Sequence, residues 1–236
     1  MGRHFRPKLI LPGAPLRFPD PRQADAEGLV AIGGDLMPER LLAAYRAGVF
    51  PWYEDGLPPL WWSPDPRAVF TPDTLHVARS LARTIRRGGF RLAFDTAFAD
   101  VMRACAAQRD DGTWILPEMI DAYSELHRLG HAHSVEVWID DELVAGLYGV
   151  QVGGLFAAES KFHRVTDLSK VALVAAVRSL FARGITLFDV QLPTEHLASL
   201  GVVTIARDEY LARLAVAVER TADLRDLVLT CGRATC

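Results

Sequence analysis

The stretch 132–191 constrains the fold of this 236-residue chain more than any other. Val135-Glu-Val-Trp-Ile139 alternates apolar and polar residues, as a half-buried strand does. Asp140-Asp-Glu142 turns the chain, and 143–151 reads as the returning strand. Gly153-Gly154 supplies the positive φ values that a tight hairpin turn requires, and 155–162 reads as a third strand. This meander feeds a helix over 169–183. Leu173, Val174, Val177, Leu180 and Phe181 share one of its faces, and Gly184 stops it. A buried strand over 185–191 follows. Three polar residues, Glu159, Asp189 and Gln191, interrupt these otherwise apolar strands. Where pattern and polarity conflict, chemistry is the expected reason.

The remaining chain is read more coarsely. Residues 1–27 hold five prolines and scattered charges, an irregular surface arm. Residues 28–35 form a short strand ending in Gly33-Gly34, which lacks the G-x-G-x-x-G spacing of a dinucleotide site. Pro38 opens a helix carrying Leu41, Leu42 and Tyr45, which Gly48 closes. Residues 49–53 and 60–67 are proline-punctuated aromatic loops with three of the five tryptophans. They form either a small core under loops or a stacking surface for a base or an aromatic substrate. The break at 63–67 divides a small N-terminal domain, 1–66, from a larger one, 67–236.

A helix over 74–87 carries Arg79, Arg83, Arg86 and Arg87 on adjacent turns, with Arg91 close behind. A charge run is often a solvated face. Here no acidic residue balances it, which favours a phosphate-binding patch. The chain's net charge of −3 argues only against wholesale coating of nucleic acid. Further helices are expected over 94–109, 117–129, 194–200 (capped by Thr194) and 208–220, with a last strand over 202–205 and an unpatterned tail from 224. His131 and His133 lack a third ligand at useful spacing, and no C-x-x-C pair joins Cys105, Cys231 and Cys236. Neither a metal site nor a disulfide framework is expected. The charged N-terminus reads as no signal peptide, no apolar run has membrane-spanning length, and a cytoplasmic location follows.

Meander, helix and strand together make an α+β chain whose mixed sheet, flanked by helices, is of the acetyltransferase (GNAT) type. Within it the chain resembles the leucyl/phenylalanyl-tRNA–protein transferase family. The blocks that carry the resemblance are Gly33-Gly-Asp-Leu36, Gly48-Val-Phe-Pro-Trp52, Trp61-Trp-Ser-Pro-Asp-Pro-Arg67 and Gly112-Thr-Trp114. They continue with Leu129-Gly-His-Ala-His-Ser-Val-Glu-Val-Trp138, Glu159-Ser-Lys-Phe162, Ser169-Lys170, Asp189-Val-Gln191 and His196-Leu-Ala-Ser-Leu-Gly201. The resemblance implies transfer of Leu, Phe and less readily Met from aminoacyl-tRNA to proteins with an N-terminal Arg or Lys, which marks them for N-end rule degradation. It implies no metal, no bound cofactor and no membrane. A monomer is expected.

The residue roles come from the same likeness. Asp189 and Gln191 are implied as the catalytic pair, with Glu159 holding Gln191 or the incoming amine. An i, i+2 spacing on a strand puts Asp189 and Gln191 on one face, so that the carboxylate polarises the amide of Gln191. The alternative for this pair is a structural hydrogen bond that closes the sheet, and a substrate-assisted route through the terminal ribose hydroxyl is the mechanistic rival. Leu147, Phe156, Ala158, Leu173, Ala176 and Phe188 resemble the aminoacyl pocket, with Trp52 and Trp114 flanking the terminal adenosine. Some relatives carry Asn where this chain has Thr194, so its means of stabilising the oxyanion differs. The basic helix is the expected tRNA contact. Two rival classes are weighed beside this one. An acetyl-CoA-dependent N-acetyltransferase requires a glycine-rich phosphate loop, and Arg164-Val-Thr-Asp-Leu-Ser169 has no glycine. A non-catalytic tRNA- or peptide-binding module has no use for Glu159, Asp189 and Gln191.

Overall fold

A computed structural model describes residues 7–11, 13–108 and 113–231. The expected helix end at Arg109, and the motif residue Gly112, lie outside them, as does Cys236.

The first part of the chain builds a small sheet from β1 (Lys8–Ile10), β2 (Leu29–Gly33), β3 (Phe50–Pro51) and β4 (Leu60–Trp62), in the order β1-β2-β4-β3. Helix α1 (Pro38–Arg46) joins β2 to β3, with Pro38 in its first turn where no amide partner is lost. The arm is therefore not wholly irregular, since β1 pairs parallel to β2. The aromatic loops also contain strands. At two and three residues each they are too short to display a period. Trp61, without exposure, donates from Nε1 to the Gly33 carbonyl at 2.8 Å and fixes the glycine turn.

The second part contributes β5 (Arg67–Phe70), α2 (Arg79–Arg87), β6 (Arg91–Phe94), α3 (Phe98–Ala107), α4 (Pro117–Arg128), β7 (Ala132–Ile139), β8 (Glu142–Val152) and β9 (Leu155–His163). It ends with α5 (Leu168–Ala182), β10 (Leu187–Gln191), α6 (Glu195–Ala198), β11 (Val203–Ile205) and α7 (Arg207–Ala217). The seven-stranded sheet runs β11-β5-β10-β9-β8-β7-β6. The meander is as expected, and the β8–β9 turn needs Gly153. Its φ is 58°, and a Cβ there would lie 2.4 Å from the Val218 carbonyl oxygen.

Helix α5 crosses over the sheet so that β10 returns parallel to β9, Leu187 beside Leu155 and Asp189 beside Ala157. Eleven of its fifteen residues are buried, so it is an internal helix and not merely amphipathic. It covers one face of the sheet with Leu173, Val174, Val177 and Leu180. Helices α1, α3 and α4 and the small sheet cover the other face. The tail after α7 also belongs to the core. Leu224, Leu227, Leu229 and Cys231 are buried, and Thr230 N donates to Ser179 Oγ on α5 at 2.9 Å.

Two helix boundaries differ from expectation. The basic helix begins at Arg79 and not at 74. The helix expected over 94–109 begins only at Phe98, because Phe94 ends a strand and Asp95 turns the chain at φ 59°. The Asp95 carboxylate holds that turn by accepting from Ser134 N at 2.8 Å.

Candidate active site

The pairing of β9 with β10 ends at Ala157 and Asp189. Beyond that point both strands carry a register irregularity. On β9, Ala158 and Ser160 face consecutive residues of β8, so Glu159 is the extra residue. On β10, Asp189 and Gln191 face consecutive residues of β5, so Val190 is extra. Bulges re-aim side chains and end pairing. Here they open a cavity of about 270 Å³ between the two strands, with Glu159 and Gln191 on its wall.

The rest of the wall is mostly apolar. Leu147, Ala158, Leu173 and Val190 form one part, and Trp52 and Trp114 stand at another. Trp52 is 43% exposed, unlike its core neighbour Trp61. Thr194 also lines the cavity. Its Oγ1 accepts from Leu197 N at 3.2 Å, which caps α6 and leaves its own proton to donate into the cavity.

Of the residues expected to form the pocket, Trp52, Trp114, Leu147, Ala158, Leu173 and Thr194 line the cavity with Glu159 and Gln191. Phe156, Ala176 and Phe188 do not. All three have no exposure and pack behind the wall, with the rings of Phe156 and Phe188 5.2 Å apart. Helical spacing placed Ala176 one turn from Leu173, but in α5 it packs within the buried core. Ala176→Phe is accordingly expected to lower stability by about 1–3 kcal/mol through overpacking, with the ratio of Leu to Phe transfer unchanged. Thermal melting and competition between the two charged tRNAs would measure this. A changed ratio in a protein of unchanged stability would put Ala176 on the wall instead.

Asp189 is not where the simple strand alternation put it. Its carboxylate has no exposure, and it meets the backbone of Gln191 where the side-chain amide was expected. Arg67 on β5 grips it, Nε to Oδ1 at 2.9 Å and Nη2 to Oδ2 at 2.7 Å. Tyr210 on α7 donates to Oδ2 at 2.8 Å, and the backbone N–H of Gln191 donates to Oδ1 at 2.9 Å. The partner of the Gln191 amide is Glu159, with Nε2 donating to Oε1 at 3.3 Å. Gln191 Oε1 is thereby left to accept a hydrogen bond in the cavity.

Burial pushes the Glu159 carboxyl up to about 8. A hydrogen bond from Tyr45 opposes the rise, the Asp189 charge adds to it and Arg67 opposes it. Glu159 therefore holds its proton at neutral pH more often than it releases it. Tyr45 Oη in turn lies 2.6 Å from Tyr123 Oη. Burial raises both phenols well above their ordinary value, so they stay neutral hydroxyls.

Sequence reading missed Arg67, Tyr210, Tyr45 and Tyr123 as parts of this site. Arg67 left one signal: a charged residue opening the apolar run Ala68-Val-Phe70. His133 bonds Asp95 Oδ2 at 2.7 Å and stacks on Phe94, which is a structural role. Among the described residues no group of three or more His, Cys, Asp or Glu side chains is placed to hold a metal ion. Arg79, Arg83, Arg86 and Arg87 lie exposed on α2 and away from the cavity wall; among the described residues none of them forms an ion pair.

Comparison with known proteins adds independent findings. The family model described as leucyl/phenylalanyl-tRNA protein transferase matches residues 69–215, and that of the N-terminal domain of the same family matches 34–65. A leucyl/phenylalanyl-tRNA–protein transferase of Anaeromyxobacter sp. (strain Fw109-5) is 57% identical over 206 residues, covering 86% of this chain and 88% of that one. The protein of that name from Chromobacterium violaceum is 55% identical over 201 residues, covering 84% and 86%. Among solved structures, a GCN5-related N-acetyltransferase from Kribbella flavida is 14% identical with a TM-score of 0.40, covering 70% of this chain and 59% of that one. That likeness is too distant to carry an argument.

Proposed function

The chain belongs to the leucyl/phenylalanyl-tRNA–protein transferase family, and from that premise we propose how its cavity carries out the transfer. It is an aminoacyltransferase that moves Leu or Phe from aminoacyl-tRNA to the N-terminal Arg or Lys of a protein, the mark for N-end rule degradation. Transfer of Met belongs to the same reading.

One observation carries the proposed mechanism: Glu159 and Gln191 project from two bulged strands into one largely apolar cavity. The ester is already activated, so positioning supplies much of the rate. The aminoacyl side chain lies against Leu147 and Leu173, and the terminal adenosine between Trp52 and Trp114. The acceptor's neutral α-amine donates a hydrogen bond to Gln191 Oε1 and attacks the ester carbon. The Thr194 hydroxyl donates to the carbonyl oxygen as it gains charge. The amine's proton passes to Glu159 in its ionised form and from there to the departing ribose oxygen as the ester C–O bond breaks. Asp189 keeps Gln191 in place.

The decisive assay is transfer of labelled Leu from charged tRNA to an Arg-starting peptide, with acetyl-CoA as the control donor. Transfer from tRNA alone is expected. Acetylation instead would mean a phosphate site at the start of α5. That segment argues against one, since Asp167 sits there at φ 68° with its carboxylate on Lys170 Nζ at 2.8 Å.

The exposed α2 arginines are assigned to the tRNA acceptor stem. Neutralising Arg83 and Arg87 together is expected to weaken tRNA binding and to flatten its salt dependence by about one unit of slope per lost phosphate contact. Turnover of an aminoacyl-adenosine analogue should survive, and an unchanged slope would leave these arginines as a solvated face. We divide the chain at residue 66, between the small and the large sheet, and take it to act as a monomer in the cytoplasm, where its charged-tRNA donor is made.

A further inference from the structure

We propose that Arg67 and Tyr210 are positioning residues for the transfer: they clamp the Asp189 carboxylate so that it locks the backbone of Gln191 in a strained turn, which aims the Gln191 amide at Glu159 and the reacting amine. This rests on the reading of Gln191 as the group that meets the amine.

The turn at Gln191 is unusual for its residue type. Its φ is 58°, and Leu192 N donates to the Val190 carbonyl at 2.7 Å across it. An i to i+2 bond around a positive φ is a γ-turn of the rare, strained kind. Such a conformation persists in a non-glycine residue only where its surroundings over-determine it. Asp189 Oδ1 supplies that determination by accepting from Gln191 N, and it can do so only if the carboxylate itself is immobile. Arg67 and Tyr210 immobilise it from two other elements, β5 and α7.

The clamp is built to hold. Arg67 and Asp189 are 1% and 0% exposed. The guanidinium stacks 4.4 Å from the Tyr210 ring centroid and 4.9 Å from that of Phe50, and Nη1 donates to the Gly48 carbonyl at 3.3 Å. Gly48 faces α7 closely and at φ 80°, a backbone conformation that favours glycine. A Cβ there would stand 2.7 Å from Leu211 Cδ2 and 3.2 Å from the Tyr210 ring. Phe50, which stacks on Arg67, also lines the cavity. The clamp thus ties the cavity-lining β3, the strand bearing Gln191 and α7 to one buried carboxylate.

Tyr210→Phe keeps the ring over Arg67 and removes a single donor, so the protein should still fold, with a modestly lowered melting temperature. The expected result is a fall of about tenfold in kcat, the size of one charge-assisted hydrogen bond, with KM for aminoacyl-tRNA unchanged. In a Gln191→Ala background the same change should cost nothing further, because it acts through Gln191. Arg67→Lys keeps the charge without the fork and should show the same dependence on Gln191. Multiplicative losses in the double variants, or a lowered melting temperature with kcat intact, would overturn the positioning role. Near-normal turnover in Gln191→Ala itself would overturn the reading beneath it, and the two failures are told apart by that single variant.

Discussion

Gln191→Ala is expected to lower the rate of transfer at saturating substrate by about 10²–10⁴-fold, the range typical of help with a proton transfer. The side-chain amide of Gln191 contacts Glu159, and both residues line the cavity. Its removal takes away the acceptor for the incoming amine, while the clamp around Asp189 holds the backbone without it. Binding of aminoacyl-tRNA should change little, because the apolar wall and Trp52 and Trp114 are untouched. Asp189→Asn should behave differently. It leaves the buried Arg67 guanidinium without its counter-charge, and loss of one partner of a buried pair costs about 3–5 kcal/mol. Its loss of activity should therefore accompany a loss of stability, whereas that of Gln191→Ala should not. Single-turnover rates with denaturant melts on both variants would separate the two. Near-wild-type single-turnover rates in a folded Gln191→Ala protein would sink the amide's role in holding the amine.

Why the sequence placed Asp189 wrongly is instructive. Alternation along a strand assumes an unbroken ladder, and the bulge at Val190 breaks it. No local residue announces that bulge. The partners of the Asp189 carboxylate beside it are Arg67, 122 residues earlier in the chain, and Tyr210, 21 residues later. The same limit hid Asp95, whose positive φ is held by Ser134 from a neighbouring strand. The meander and α5 were legible because they run over many residues, and Gly153-Gly154 and Gly184 mark the turns after β8 and α5. Among the aromatic loops, Trp52 and Trp61 look alike in sequence. Only burial tells the cavity wall from the core, and burial depends on how the small sheet meets the large one. The three polar interruptions at Glu159, Asp189 and Gln191 marked the site without a structure. Their division of labour, two in the cavity and one in the clamp, did not follow from position alone.

Glu159→Gln should change the shape of the pH–rate profile as well as its height. The Glu159 carboxyl titrates at about 8, raised mainly by burial, and the groups around it are Tyr45 from α1, Tyr123 from α4, Arg67 from β5, and Asp189 and Gln191 from β10. The acceptor α-amine titrates at about 7.7–8.0. Transfer needs the amine neutral and Glu159 ionised, so two protons must leave before the active form exists. Between about pH 6 and pH 7.5 the logarithm of the wild-type rate should rise with a slope of about two, and that of Glu159→Gln with a slope of about one. Above about pH 9 the variant should remain roughly 10²-fold slower, because the amine's proton then has no base to receive it. Stability gives an independent reading. Glu159 binds its proton more tightly in the folded protein than in the unfolded chain, where its value is 4.5. Its contribution to stability is therefore fully present below about 4.5 and is lost as the pH rises through about 8. Glutamine cannot ionise, so the variant should gain stability relative to the wild type on going from acid to alkaline solution. Glu136, also raised by burial to about 7, is common to both proteins and cancels in the difference. A wild-type slope of one, unchanged in the variant, would remove Glu159 from the proton's path and leave it only as a support for Gln191.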